Sequence, residues 1–424
     1  MSTKVNIALE PKLDRGTLVL GGEPHVVHCH YYNHFLQTSI EDAAGTYDVE
    51  EVLVWTAQEI GHSLFKSVFH EQKVEDPQER KAIVEAVFTQ CGYGKVSLNS
   101  LSSEGGELST PYEHYAYTYS ATFPPRPKGQ RGVAYFSQGY LAGALEAIYD
   151  LPLGSIGSKQ TACLTQGDPE VRWQFYRLEQ PLPLTPSVGE GTFQTGDLLQ
   201  PPNTRIPMAQ IRDAVLGLPL LPDPETGLIE AFGVVLTLIP GNYYALISDR
   251  HLQRMIQALG EEIVPVVLDM LIESGHVCAF NTLGGIMQSA EWDAVVRPYI
   301  DTPEDWLHGI LAVLPAIGWG IVGCSDQPSS RKWSVCLTNW YETTAIAALP
   351  TSQRRLDHSP FARGLFAGIM ALVYEAHIYE RRLTFDGHLY RRLFGEGRVY
   401  ESVFTESRLQ GHLRDSVYVS PARS

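Results

Sequence analysis

Asp76-Pro77-Gln78-Glu79 leading to Gly92-Tyr93-Gly94 returns later in the chain as Thr302-Pro303-Glu304-Asp305 leading to Gly318-Trp319-Gly320. The Pro and the first Gly both move by 226 positions (303 − 77 and 318 − 92). Each pair of landmarks brackets a helical pattern, roughly 77 to 91 and 303 to 317. Further landmarks recur around them in the same order. Glu59-Ile60-Gly61-His62 answers to Glu273-Ser274-Gly275-His276, and Tyr112-Glu113 to Tyr341-Glu342. Gly139 and Gly143 answer to Gly364 and Gly368, and Gly167-Asp168 to Gly395-Glu396. The offsets drift only between 214 (273 − 59) and 229 (341 − 112), as small loop insertions would make them. A unit of about 180 residues is far longer than a solenoid repeat, so the reading is a duplicated domain. The two copies are expected to stack as an intramolecular pseudo-dimer.

The fold class read from each copy is α+β, an antiparallel sheet with helices packed on one face. Each copy runs strand, helices, alternating strands, helix, strand. The helices fall at roughly 49 to 70 and 77 to 91, then 249 to 274 and 303 to 317. Alternation predicts strands over 95–102 and 112–123 in the first copy, and over 321–324 and 333–348 in the second. Ser137 and Ser359 read as helix N-caps, the latter followed by Pro360 at the first helical position. Both of those helices carry a GxxxG spacing, read as a place where another backbone packs closely. The closing strands are 171–176 and 399–404. These boundaries give a first domain over 1–180, a Pro- and Gly-rich linker over 181–222, a second domain over 223–406 and a tail over 407–424.

Composition fits a globular chain of two or three domains, with 424 residues, 44% hydrophobic and 19% charged. A net charge of −16 leaves no basic stripe to replace counterions, so no nucleic-acid partner is expected. It equally disfavours an anionic membrane surface. The most apolar stretch, 307–323, is interrupted by His308 and Pro315 and reads as a buried helix. Six cysteines without a CxxC pair, and an N-terminus without an apolar signal segment, point to a cytoplasmic protein. A homo-oligomer stays open.

Taken in order, these motifs resemble the 4-vinyl-reductase domain family. They are a strand with DxGxL (Asp14-Arg15-Gly16-Thr17-Leu18), a helix with a Gly near its end, and a GxGxV strand start (Gly92-Tyr93-Gly94-Lys95-Val96). A capped GYxxG helix (Gly139 to Gly143) and the ending Cys163-Leu-Thr-Gln-Gly167-Asp168-Pro-Glu-Val171-Arg-Trp-Gln-Phe175 complete the set. The resemblance covers most of residues 13–178 and, more faintly, 223–405. It implies a small-molecule-binding fold, as in phenol-responsive transcription activators and bacteriochlorophyll biosynthesis proteins. The family's structural zinc, held by a Glu and three Cys at the closing motif, is expected to be absent. Only Cys163 remains here, with Val171 at a usual Cys position and Arg391 in the second copy, and a closed zinc site needs four ligands. The activators also carry an ATPase and a DNA-binding module; this chain shows no GxxxxGK[ST] loop and no helix-turn-helix tail, so it does not read as such a regulator by itself.

Two function classes follow. The first is a soluble protein enclosing a small hydrophobic or aromatic molecule. A strand over 112–123 would set Tyr115, Tyr117 and Tyr119 on one face with Glu113, as a pocket wall or as plain core. In the second copy, Trp306, His308 and Trp340 are the nearest matches to the His and Trp that hold the ligand hydroxyl in the phenol-sensing relatives, and they too can be core. The second class is a metal-dependent oxidoreductase holding iron or a similar metal. A strand over 26–32 would present His28 and His30 on one face, and Glu59 with His62, three apart on a helix, would complete two-His-plus-carboxylate chemistry. The second copy's apolar strand, Val234 to Ile239, offers no such pair, so the site would exist once. Neither a GxSxG elbow nor a Rossmann GxGxxG behind a strand is present.

Overall fold

A computed structural model describes residues 9–127, 130–189, 193–194, 205–324, 331–395 and 397–422. The chain opens with strands β1 (Glu10–Lys12), β2 (Thr17–Leu20) and β3 (Glu23–Cys29), and β3 runs without a loop into α1 (His30–Asp42). Helices α2 (Glu50–Gln72) and α3 (Pro77–Gln90), strand β4 (Gly105–Thr110), helices α4 (His114–Thr122) and α5 (Tyr135–Ile148), and strands β5 (Ile156–Ala162) and β6 (Val171–Arg177) follow. Helix α6 (Met208–Leu216) precedes the second half. That half begins with β7 (Ile229–Ala231), β8 (Val234–Pro240), α7 (Gly241–Leu259) and α8 (Val264–Cys278). Then come α9 (Gly284–Gln288), α10 (Ala290–Val295), α11 (Pro303–Val313), β9 (Ile321–Cys324), β10 (Trp333–Thr338) and α12 (Tyr341–Ala347). Helices α13 (Pro360–Tyr374) and α14 (Gly387–Phe394) and strands β11 (Tyr400–Glu406) and β12 (Asp415–Pro421) end the chain. The strands form three antiparallel sheets, so the α+β class holds.

The central sheet, β1-β2-β3-β8-β7, draws on both halves, so no spatial boundary falls at residues 180 or 223. β3 and β8 pair antiparallel about Val27 and Leu238. Each passes directly into a helix, and 211 residues separate both strand starts and both helix starts (234 − 23 and 241 − 30). The turns recognised in the sequence lock this seam reciprocally. Tyr93, after α3, donates its hydroxyl to the Leu238 carbonyl at 2.6 Å, and Trp319, after α11, donates its indole N–H to the Val27 carbonyl at 3.1 Å. Gly92 and Gly318 have positive φ (77° and 86°), and a Cβ there would meet the carbonyls of Leu236 and His25 at 2.8 and 2.2 Å. Only glycine fits both the conformation and the approach.

The helices preceding those turns start by one chemistry from different residues. Asp76 accepts from the N–H groups of Gln78 and Glu79, and Thr302 forms a capping box with Asp305, each before a Pro. The GxxxG helices pack as read, but only Ser359 caps its helix, accepting from the Ala362 N–H; Ser137 lies inside α5, which starts after Ala134. α5 packs on α2, and α13 on α8, with Gly139 and Gly364 so close to the facing backbone that a Cβ would meet Val54 and Ile272 carbonyls at 2.0 and 1.8 Å.

Several expectations need correction. Residues 112–123 form no strand: Glu113 accepts from the Ala116 N–H and starts α4 at His114. A side-chain cap overrides the β-like alternation of tyrosines. Likewise β10 ends at Thr338, and 341–347 is helix. The single helix read over 249–274 is α7 and α8, parted at Gly260, whose φ is 89°. The tail over 407–424 carries β12, a strand hydrogen-bonded on both sides, to β10 and to β11. Residues 399–404 therefore belong to an edge strand rather than a closing one. The β5–β6 pair slips register between Gln160 and Ala162, and β11–β12 between Phe404 and Glu406, a shared offset of 244 (404 − 160 and 406 − 162). At the same offset of 244, Gly167 and Gly411 each end a turn in the left-handed region, whereas Gly395 has a φ of −80°. Glu396 lies outside the described residues, as do 190–192 and 195–204 of the linker. The described linker residues are not free chain, since Thr185 and Ser187 donate backbone N–H groups to Glu59 and Ser63 on α2.

Among the described residues one helical run, Glu261–Gln288, is long and apolar enough to cross a membrane by length and composition. Its most apolar window is 56% buried within the protein. The apolar stretch 307–323, expected to be one buried helix, instead spans α11, a turn and part of β9.

Candidate functional site

A cleft runs along one face of α1. Tyr31, His34, Phe35, Thr38 and Asp42 recur at steps of three and four, so they form one stripe. Tyr119 from α4, Phe123 beyond it and Val277 from α8 wall off an apolar lobe of about 320 Å³. A polar lobe of about 690 Å³ adjoins it, bordered by Glu41, Asp48, Arg126 and Arg131. Thr38, Asp42 and Tyr119 line both lobes.

His34 is the chemically distinctive group of the apolar lobe. It is 2% exposed, with the rings of Tyr115, Tyr119 and Phe123 edge-on at 5.7, 5.4 and 5.4 Å. Its Nε2 lies 2.8 Å from the Thr118 hydroxyl, and that hydroxyl donates to the His114 carbonyl at 2.6 Å. A hydroxyl has one proton to give, so His34 Nε2 must be the donor in its contact with Thr118. Nδ1 is then a lone-pair acceptor, and it has no partner among the described residues. Burial, helped by nearby His114, His30 and Arg126, holds the imidazole pKa well below its usual range, so the ring is neutral.

The polar lobe is ordered by ion pairs. Arg126 grips Glu41 with two hydrogen bonds, 3.1 and 2.6 Å, and lies over the Tyr119 ring at 4.9 Å. Arg131 pairs with Asp48 at 2.9 Å and Glu50 at 3.3 Å. Asp42, exposed where the lobes join, has no ion pair among the described residues.

Of the pocket residues read from the sequence, Tyr119 lines this cleft. Tyr115 backs it by packing on His34, one helical turn away from Tyr119. Tyr117 faces elsewhere, towards Tyr112, because α4 places it off that face. In the second half, Trp306 packs on Trp292 in the core. His308 is buried, its pKa lowered by that burial and its Nδ1 without a partner among the described residues. Trp340 donates to the Ser359 hydroxyl at 3.0 Å and packs on Tyr341 and Phe361. None of these three lines the cleft along α1.

The expected metal ligands do not converge. β3 ends at Cys29, so His30 opens a helix and leaves the face of His28. His28 is stacked between Tyr32 and Trp319 at 4.1 and 4.8 Å, with Nδ1 against the Cys278 sulfur at 3.5 Å. His30 accepts from the Val235 N–H at 3.2 Å. Glu59 takes Arg250 at 2.6 Å, and His62 sits 3.3 Å from Glu146. Among the described residues no group of three or more His, Cys, Asp or Glu is placed to hold a metal ion. The family zinc does not fit either. Cys163 is buried and accepts from the Thr165 hydroxyl, and the residue at its place before the β11–β12 turn is Ser407 rather than Arg391.

His34 lies four residues beyond His30, but a strand read over 26–32 hides the start of α1 and with it the helical stripe that gives His34 meaning. No protein-family model and no curated protein matches the chain.

Proposed function

We propose that the chain binds a small, flat, largely apolar molecule carrying a hydrogen-bond donor, lodged in the cleft along α1. The observation that carries this reading is the neutral, buried His34, which lines an aromatic-walled lobe and whose Nδ1, an acceptor, has no partner among the described residues. A buried acceptor left without a donor costs about 1–3 kcal/mol, which a ligand O–H or N–H would recover once a small shift of the aromatic walls opens Nδ1, closed to water in this structure, to the lobe. Aromatic edges around it suit an aromatic ligand. Calorimetric titration of the intact protein with phenol and with anisole tests this. Phenol should bind more tightly by roughly three- to tenfold, and the difference should vanish in His34→Phe. Equal binding of the two in the unaltered protein would sink the reading.

The two halves are, in the same proposal, duplicated units of a 4-vinyl-reductase-like kind joined as an intramolecular pseudo-dimer. Support comes from the matched register slips of β5–β6 and β11–β12 and from the reciprocal Tyr93 and Trp319 bonds. An experimental structure in which residues 17–177 and 229–421 fail to superpose element by element would overturn it.

A further inference from the structure

Resting on the cleft reading above, we propose that the natural ligand is a hydroxyaryl amine, its hydroxyl on His34 and its protonated amine on Asp42. Three observations narrow the class. First, the polar lobe already pairs its cations. Arg126 and Glu41 are about a tenth exposed (9% and 11%) and doubly bonded, and Arg131 is engaged by Asp48 and Glu50. An anionic ligand would have to break a largely buried pair to reach Arg126, whereas a cation disturbs neither pair. Asp42 is what remains over, a carboxylate that lines both lobes without an ion pair among the described residues.

Second, His34, Thr38 and Asp42 stand at i, i+4 and i+8 on one helix face. Eight residues rise about 12 Å along the axis, and side chains leaning over the groove shorten that span. An aromatic ring with a short alkylamine arm is therefore the right kind of length, and a bare phenol is too short to reach both ends. Third, Tyr119 lines both lobes, so the ring and the arm of one molecule would pass it in succession. A hydroxyl and an ammonium can both donate to His34, so desolvation fixes the polarity: the neutral group suits the buried His34 end and the charged group the exposed Asp42 end. The hydroxyl therefore belongs at the deep end and the ammonium at the open end.

Calorimetry on the intact protein at neutral pH distinguishes the outcomes, using 4-(2-aminoethyl)phenol, 4-ethylphenol and 3-(4-hydroxyphenyl)propionate as probes. The amine should bind about three- to fivefold more tightly than 4-ethylphenol at low salt, as a partly exposed ion pair permits, and the propionate more weakly than both. The advantage should shrink as salt is raised. In Asp42→Asn the ratio of amine to 4-ethylphenol affinities should fall to about one. If 4-ethylphenol binds and the amine is no tighter, or if its advantage survives Asp42→Asn, the amine assignment is wrong while the cleft stands. If none of the three binds, both the cleft reading and this inference fail.

Discussion

Helices α1 and α7 leave the central sheet in the same way, yet their matched positions meet the chain that follows in different ways. Positions 34, 38 and 42 of α1 correspond, at the 211-residue offset of the two strand–helix junctions, to Ala245, Asp249 and Gln253 of α7. Asp249 is buried and accepts two backbone N–H groups, from Arg355 at 2.8 Å and Leu356 at 2.7 Å. The chain beyond α12 is thereby sewn onto α7. On α1 the chain beyond α4 is held at arm's length by the long Arg126 side chain gripping Glu41, and a cleft opens between. One backbone plan thus carries either a closed seam or an open cleft, depending on whether a short carboxylate meets backbone or a long cation.

The largest effect expected from testing this comparison is removal of residues 407–424. That deletion takes away β12, the strand with partners on both sides in the second half's outer sheet, and the chain should fail to fold, seen as loss of cooperative thermal unfolding. A truncated chain that melts cooperatively at the same temperature would break the account of that half.

Next is the seam itself. Asp249→Ala strands two backbone N–H groups and should cost roughly 2–4 kcal/mol in urea denaturation, while Asp42→Ala, exposed and unpaired, should cost less than about 0.5 kcal/mol. Equal costs would erase the distinction between the helices.

A smaller, shared effect comes from a carboxyl buried in each half. Burial raises Glu113 to about 7 and Glu342 to about 8, although each accepts a serine hydroxyl, from Ser137 and Ser359. Both folded values lie above the ordinary carboxylate value of 4.5, so the protonated folded state is favoured. Their contribution is full below about pH 4.5 and is lost as pH rises through 7 for Glu113 and 8 for Glu342. Denaturation followed between about pH 6 and pH 9 should therefore show falling stability that Glu342→Gln flattens at higher pH than Glu113→Gln does. The same slope in both variants as in the unaltered protein would rule these carboxyls out as its source.

The sequence revealed most where local chemistry decides structure. Pro77 and Pro303, the glycines of both turns and both GxxxG pairs occupy the positions their spacing implied, because caps, left-handed turns and close backbone approach are properties of a few neighbouring residues. It misled where two local signals competed. Alternating tyrosines from Tyr115 to Tyr119 have the period of a strand, and one Glu113 cap turned them into helix. His28 and His30 have strand spacing, but a strand–helix junction falls between them. The cleft was not legible. It lies where the chain beyond α4 meets α1 through Phe123, the Arg126–Glu41 pair and the Gln37 bond to the Val133 carbonyl rather than through continuous packing, and how two segments some eighty residues apart meet leaves no mark on either segment alone. Of the residues lining the cleft, the sequence reading names Tyr119 alone as a pocket wall and gives His34 no role.

The reciprocal seam has a consequence for assembly. Neither half completes the central sheet alone, because β3 needs β8 and each turn needs the other half's strand. The same bonds can form between two chains if each lends a half to the other. What favours self-closure is tethering, which holds the halves at an effective concentration on the order of millimolar and outcompetes a neighbour at ordinary protein concentrations. Shortening the connection over residues 181–222 past the reach of the seam should therefore favour an exchanged pair of chains over self-closure, read as a doubled mass in sedimentation.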